Sequence, residues 1–206
     1  MISFIDVDKS IFVWINTYWS NPVFDLIMPW ISRLADAALI CLWIVFLGLL
    51  KYRRLARANK AGRGPRQHRA IITASFFFLC MALIYGVNAG VFKSLKHVFH
   101  RSRPFIEQTV ILRVSPTTAS GLSDDGSFPS GHACSAFMIA ALFSKQFRRK
   151  CYFFYGLAAM VALSRVYLGV HYPSDVLVGS LLGLVITWFM LYLYPLRTKI
   201  AWNDFL

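Results

Sequence analysis

The sequence predicts an all-α fold, a polytopic transmembrane helix bundle. Three observations lead there. Of the 206 residues, 57% are hydrophobic and only 15% charged, too apolar a balance for an ordinary soluble domain. Five apolar stretches approach the roughly 20 residues that a helix needs to cross the hydrocarbon core. The basic residues gather in segments that fall on one side if those stretches alternate in direction.

The five predicted spans are residues 31–50, 70–92, 128–147, 151–170 and 176–196. Ahead of them, residues 5–30 mix apolar and polar positions. Trp14, Trp19 and Trp30 suit a membrane interface, and Asn21-Pro22 breaks the chain. This region is expected to form one or two interfacial helices, or a short sixth span. The start, from Met1 to Lys9, has neither a basic region nor a small-residue cleavage site, so no removable leader is expected. A single domain over residues 1–206 is expected, with interfacial helices in 1–30, a basic loop in 51–69 and an active-site loop in 93–130. No internal repeat is apparent. Ser115-Pro116 and Ser123-Asp124-Asp125-Gly126 carry turn signals and predict a mobile loop rather than a second domain.

Charge orients the bundle. Fourteen of the 22 Lys and Arg residues lie in 51–69, in 145–150 or in the tail at Arg197 and Lys199. The positive-inside rule makes that side cytoplasmic and turns 93–127 and 171–175 outward. The formal charge of +13 is therefore read as topology, and a nucleic-acid partner is not expected. Cys41, Cys80, Cys134 and Cys151 form no Cys-x-x-Cys pair and are read as buried, inert thiols.

The predicted outer face carries an unusual polar set. Lys96 and Arg103 are seven residues apart, two helical turns, and can share a face, while Pro104 favours an end to regular helix near Arg103. Lys96, Arg103 and Arg165 are three cations able to surround one phosphoryl group, the arginines by a fork of N–H donors. Ser130 and Gly131, in Pro129-Ser130-Gly131-His132, open a span where backbone N–H groups and the helix dipole favour an anion. If 171–175 is helical, Asp175 lies on the same face as His171 and fixes its tautomer, leaving the other ring nitrogen to attack phosphorus. His132 remains to protonate the departing oxygen and later to activate water. Fifteen residues separate Lys150 from Arg165, about 22 Å of helix at ~1.5 Å per residue. Against a hydrocarbon core of about 30 Å, the site falls just beneath the outer headgroups, where ionisable side chains are costly and usually functional.

Lys96-x6-Arg103-Pro104, Pro129-Ser130-Gly131-His132 and Ser164-Arg165-x5-His171-x3-Asp175 together resemble the three-part signature of the type 2 phosphatidic acid phosphatase (PAP2) superfamily. All three parts are complete and in the family's order over residues 96–175. The resemblance implies a phosphohistidine on His171, orientation by Asp175, acid catalysis by His132, and phosphate binding by Lys96, Arg103, Ser130, Gly131 and Arg165. It implies no metal and no cofactor. It also implies a membrane lipid phosphate as substrate: undecaprenyl pyrophosphate, phosphatidylglycerol phosphate, phosphatidic acid or lipid A. The expected location is the bacterial cytoplasmic (inner) membrane, with the site facing the periplasm or exterior. Two rival readings are a phosphotransferase with a lipid hydroxyl as acceptor and a non-enzymatic lipid transporter or scaffold. A vanadium-dependent oxidase is a distant third. Outside the signature, His97, His100 and Arg101 are read as interfacial residues, and Tyr167 and Tyr172 as lining or anchoring groups.

Overall fold

The computed structural model describes residues 3–60, 62, 67–123 and 125–197. Arg63, Arg66, Asp124 and Lys199, used above for charge and turn assignments, lie outside them. Every regular element among the described residues is helical.

Local chemistry sets the helix starts. Ser3 and Asp6 cap α1 (Phe4–Val13) reciprocally, each side chain accepting the other's backbone N–H at 3.2 and 3.0 Å. A wider π-type turn, Trp14–Tyr18, follows. Asn21 caps α2 (Pro22–Arg33) by accepting the Phe24 N–H at 2.9 Å, and Pro22 takes the first position, where its missing donor costs nothing. The chain then bends by 59° into α3 (Ala37–Lys60). The long α4 (Gln67–Phe99) precedes two short helices, α5 (Pro104–Glu107) and α6 (Pro116–Ser123). Next come α7 (Gly131–Gln146), a tight turn at Arg148–Lys150, α8 (Cys151–Tyr167) and α9 (Pro173–Arg197).

The helices differ from the predicted spans in length. Ala70–Glu107 and Pro173–Leu193 are long and apolar enough to cross a membrane, and the bent α2–α3 pair makes a third if taken as one span. Helices α7 and α8 have 16 and 17 residues, about 24 and 26 Å at ~1.5 Å per residue. Both are cut short by the polar site. Ser130 caps the start of α7, and Gly169, at φ +84°, reverses the chain just after α8. The segment read as a basic loop is largely helix, because α3 continues through Lys51 and Arg57 to Lys60. The turn-rich outer segment also holds α6, where the Ser115 hydroxyl accepts the Thr118 N–H at 3.2 Å and starts the helix.

Helix α7 is the centre of the bundle and is buried along most of its length. Ile40, Ile44 and Leu47 of α3, Phe77, Met81 and Ile84 of α4, and Leu191 of α9 surround its Met138, Leu142 and Phe143. Two glycines let α9 approach: a Cβ at Gly179 would stand 2.4 Å from the Ser130 carbonyl oxygen, and one at Gly183 2.2 Å from that of Cys134. A second core joins Phe12, Ile15 and Met28 of the N-terminal helices to Val166, Tyr167, Leu168, Val170 and Tyr172. Outward, the order is inverted relative to a soluble protein. Leu42, Leu79, Leu177, Leu181, Val185 and Phe189 are exposed, a surface suited to hydrocarbon. Of the cysteines, Cys134 is buried but Cys41 is exposed, so burial does not extend to all four.

Candidate active site

The polar residues of the sequence signature converge at one end of the bundle. That end is formed by the last turn of α4, the start of α7, the end of α8 and the α8–α9 link. Lys96, Arg103 and Arg165 are all buried, and each acts electrostatically on others of the set. Two half-exposed carboxylates accompany them. Asp125 accepts from Lys96 Nζ at 2.5 Å and lies 3.7 Å from Arg103 Nη2. Asp36 faces His132, its Oδ1 lying 3.0 Å from Nε2. The Nε of Arg165 is buried with no protein partner, while its Nη1 donates to Ser32 Oγ at 2.6 Å.

The spacing of Lys96 and Arg103 allows one shared helical face, which the structure does not form, while the helix end expected near Pro104 is present. Helix α4 ends at Phe99, His100 takes φ 42°, and Arg103 precedes α5 in extended backbone. Pro104 accounts for the break, since it disfavours helical backbone at the residue before it. The two cations still meet, because the loop folds back over them. Arg103 Nε donates to the Leu122 and Asp125 carbonyls at 2.8 and 2.9 Å, and its Nη1 to the Val170 carbonyl at 3.0 Å.

His171 lies in the α8–α9 link. The expected helix over 171–175 is absent, because Pro173 occupies the first position of α9 and the helix starts there. Asp175 therefore sits in the first turn, where Oδ2 accepts the Tyr172 N–H at 2.8 Å. His171 Nδ1 is 3.6 Å from that oxygen, longer than a hydrogen bond. Ser127 fills the gap: its Oγ donates to Asp175 Oδ2 at 2.5 Å and lies 3.4 Å from His171 Nδ1. The opposite nitrogen, Nε2, faces Arg103 Nη1 at 3.3 Å. Burial pushes the imidazole far below the ordinary histidine value, to about 3, so its neutral, nucleophilic form prevails at neutral pH.

Ser130 and Gly131 adjoin the cluster at the start of α7. The Ser130 N–H is committed to the Asp175 carbonyl at 3.0 Å, and its hydroxyl accepts the Ala133 N–H at 3.4 Å as the cap of α7. At Gly131 a Cβ would come within 2.9 Å of the Phe92 ring, so any larger residue there would require that ring to shift.

Besides Asp36 and Ser32, three further contributors went unread in the sequence. Arg101, assigned to the interface, donates through Nη1 to Asp175 Oδ1 at 2.6 Å and through Nη2 to Asp8 Oδ2 at 2.7 Å. It also stacks over Tyr172, 4.1 Å from the ring centroid. Asp8, on α1, accepts the Ser174 N–H at 2.9 Å and so caps α9 from 166 residues away. Its position on α1 gave no local signal. Ser127 lies within the turn-rich segment, where a functional serine looks like any other.

A site of buried cations with two histidines suits an anion with three or four oxygens. The PAP2 superfamily profile matches residues 76–199, which includes every signature residue. The chain belongs to the PAP2 superfamily. Within it, the chain is 34% identical over 134 residues to phosphatidylglycerophosphatase B of Bacillus subtilis (56% of this chain, 61% of that protein). It is 31% identical over 160 residues to a lipid A 1-phosphatase of Rhizobium etli (76% and 63%). The matches thus span less than two thirds of those relatives' lengths. The fold agrees with the crystal structure of a transmembrane PAP2-type phosphatidylglycerolphosphate phosphatase from Bacillus subtilis, at TM-score 0.69 and 24% identity over 96% of this chain and 89% of that one. Together with its apolar spans, this membership makes the chain an integral membrane protein.

Proposed function

We propose that this PAP2 protein is a metal-independent lipid phosphatase acting through a phosphohistidine. The clustering of buried Lys96, Arg103 and Arg165, with Arg103 Nη1 3.3 Å from His171 Nε2, carries the reading. Buried cations that repel one another are stabilised by a bound phosphoryl group, and more so as charge builds on its oxygens in the transition state. His171 Nε2 forms a bond to phosphorus as the P–O bond to the lipid breaks. His132 gives a proton to the leaving oxygen, then takes one from the water that cleaves the P–N bond.

A lipid substrate has structural support beside the relatives' names. An apolar groove of about 270 Å³ lies between α3, α7 and α8. Leu34 and Ala136 line it, two residues from Asp36 and one turn from His132, and Phe143 and Phe153 line its far part. It adjoins the side of the site where the leaving oxygen would sit. In this reading α7 and α8 also traverse the bilayer, making five passes with the site on the outer face. The candidate substrates are undecaprenyl pyrophosphate, phosphatidylglycerol phosphate, phosphatidic acid and lipid A.

The test is phosphate release by purified protein in detergent across those four lipids, with His171→Ala as the comparison. One lipid should release phosphate well above the others, and His171→Ala should abolish it. Phosphate release by His171→Ala at the wild-type rate would overturn the nucleophile assignment. Transfer to a lipid acceptor without free phosphate would make the protein a phosphotransferase.

A further inference from the structure

The catalytic signature occupies residues 96–175, yet two of its members are held by side chains far upstream. Helix α2 ends in tight turns. The Leu34, Ala35 and Asp36 N–H groups donate to the Ile31, Ser32 and Arg33 carbonyls at 3.1, 3.3 and 2.9 Å. The chain leaves this break at 59°, and the Asp36 carbonyl accepts the Ile40 N–H at 2.9 Å, opening α3. On a straight helix Ser32 and Asp36 would stack on one face, four residues apart. The bend gives them separate targets. Ser32 is buried and its Oγ accepts from Arg165 Nη1 at 2.6 Å; Asp36 Oδ1 lies 3.0 Å from His132 Nε2.

We propose that the broken α2–α3 segment is a positioning device for catalysis, in which Asp36 orients His132 as the proton donor and Ser32 aims Arg165 at the phosphoryl group. This inference rests on the phosphatase reading of the same site. A carboxylate that accepts from Nε2–H fixes the tautomer and the rotation of the ring. It leaves Nδ1 as the nitrogen that passes a proton to the leaving oxygen. The imidazolium loses that proton as the P–O bond breaks and His171 Nε2 bonds to phosphorus. The neutral ring, still held by Asp36, then takes a proton from the attacking water as the P–N bond breaks. Proton and bonding electrons balance over the two steps, with water as the only co-reactant. At Arg165, one guanidinium nitrogen is tied to Ser32 while the unpartnered buried Nε remains. A fixed fork loses less freedom on gripping phosphate than a mobile one.

The two roles separate experimentally by leaving group. A nitrophenyl phosphate departs as a stable phenolate and needs little protonation, whereas an alkyl lipid phosphate departs as an alkoxide and needs a donor. Because kcat/KM reports events through the first irreversible step, it reads the P–O cleavage that His132 assists. Asp36→Asn should lower kcat/KM on the alkyl substrate by about 10²-fold and on the aryl substrate by less than about threefold. Asp36→Glu, which keeps the carboxylate, should recover part of the alkyl activity. Ser32→Ala should weaken inhibition by inorganic phosphate by about tenfold and raise KM for both substrates alike, through the lost hydrogen bond to a charged group. An equal loss on both substrates in Asp36→Asn, or no loss on either, overturns the role of Asp36. Unchanged phosphate inhibition in Ser32→Ala overturns the role of Ser32. His171→Ala on the same two substrates tests the underlying reading separately, since loss of the nucleophile must silence both whatever the leaving group.

Discussion

At the residue scale, the placement of His171, the proposed nucleophile, depends on more than the Asp175 that its motif supplies. Asp175 makes a 2.8 Å bond to the Tyr172 N–H and a 2.5 Å bond to Ser127, and reaches His171 only at 3.6 Å. Arg101 holds its other oxygen, and Asp8 holds Arg101. The chain Asp8–Arg101–Asp175 therefore fixes the carboxylate that faces the ring. Arg101→Leu should lower kcat by about 10²-fold through misplacement of the reacting ring, while KM stays within a few-fold, as measured by steady-state phosphate release. Ser127→Ala should have a smaller effect in the same direction, because a hydroxyl between carboxylate and ring contributes one hydrogen bond. The signature residues were legible because each recurs at a fixed short spacing with chemistry suited to phosphate. Asp8, Asp36 and Ser32 were not, because each reaches the site from another element. Nothing in their local sequence marks Asp8 as different from a surface acid on a helix.

At the element scale, the geometry of the site depends on how closely α9 packs against α7. The Ser130 N–H meets the Asp175 carbonyl at 3.0 Å, tying the start of one helix to the start of the other. Gly179 and Gly183 permit that approach, one turn apart on the face that meets α7. At Gly183 the intruded atom would be a backbone oxygen, which cannot rotate away. Gly183→Ala should therefore cost about 1–3 kcal/mol by overpacking, read as a lowered thermal midpoint in detergent. Gly156→Ala is the matching comparison, because a Cβ there meets nothing within 4 Å; it should leave the midpoint unchanged or raise it. The apolar helices were legible, since runs of apolar residues specify them, whereas the polar end of α3 and the short α6 read as loops in the sequence. Span lengths were less legible. Residues 128–130 and 168–170 are apolar or neutral enough to be counted as helix, but capping by Ser130 and the positive φ of Gly169 end the helices first. Near Arg103 hydropathy gives no warning, and Pro104 is the residue that marks the end of regular helix in the sequence.

At the scale of the whole molecule, the proposed lipid substrate requires a polar site that serves a molecule held in the bilayer. The cations lie at one end of the bundle, and the basic residues of α3 and the α7–α8 turn lie at the other, where Arg54 stacks over Phe147 at 5.6 Å. Between these ends lies the apolar groove, lined by Ala136, one turn along α7 from His132. A chelator should leave activity intact, and orthovanadate should inhibit by occupying the cation cluster; loss with EDTA and recovery with magnesium would contradict the proposed mechanism. The groove makes a sharper claim, because it ties the lipid tail to the leaving-group side. Leu157 lines it from α8 and is only partly buried, so a larger side chain there intrudes on the groove without disrupting the core. Each methylene displaced from apolar contact costs about 0.8 kcal/mol, so Leu157→Trp, by displacing about two, should raise KM for a long-chain lipid phosphate about tenfold. A short-chain analogue with the same phosphoryl group never enters the far part of the groove, and its KM should not change. Equal KM changes for long and short chains would place the tail elsewhere, on one of the other apolar faces of the bundle.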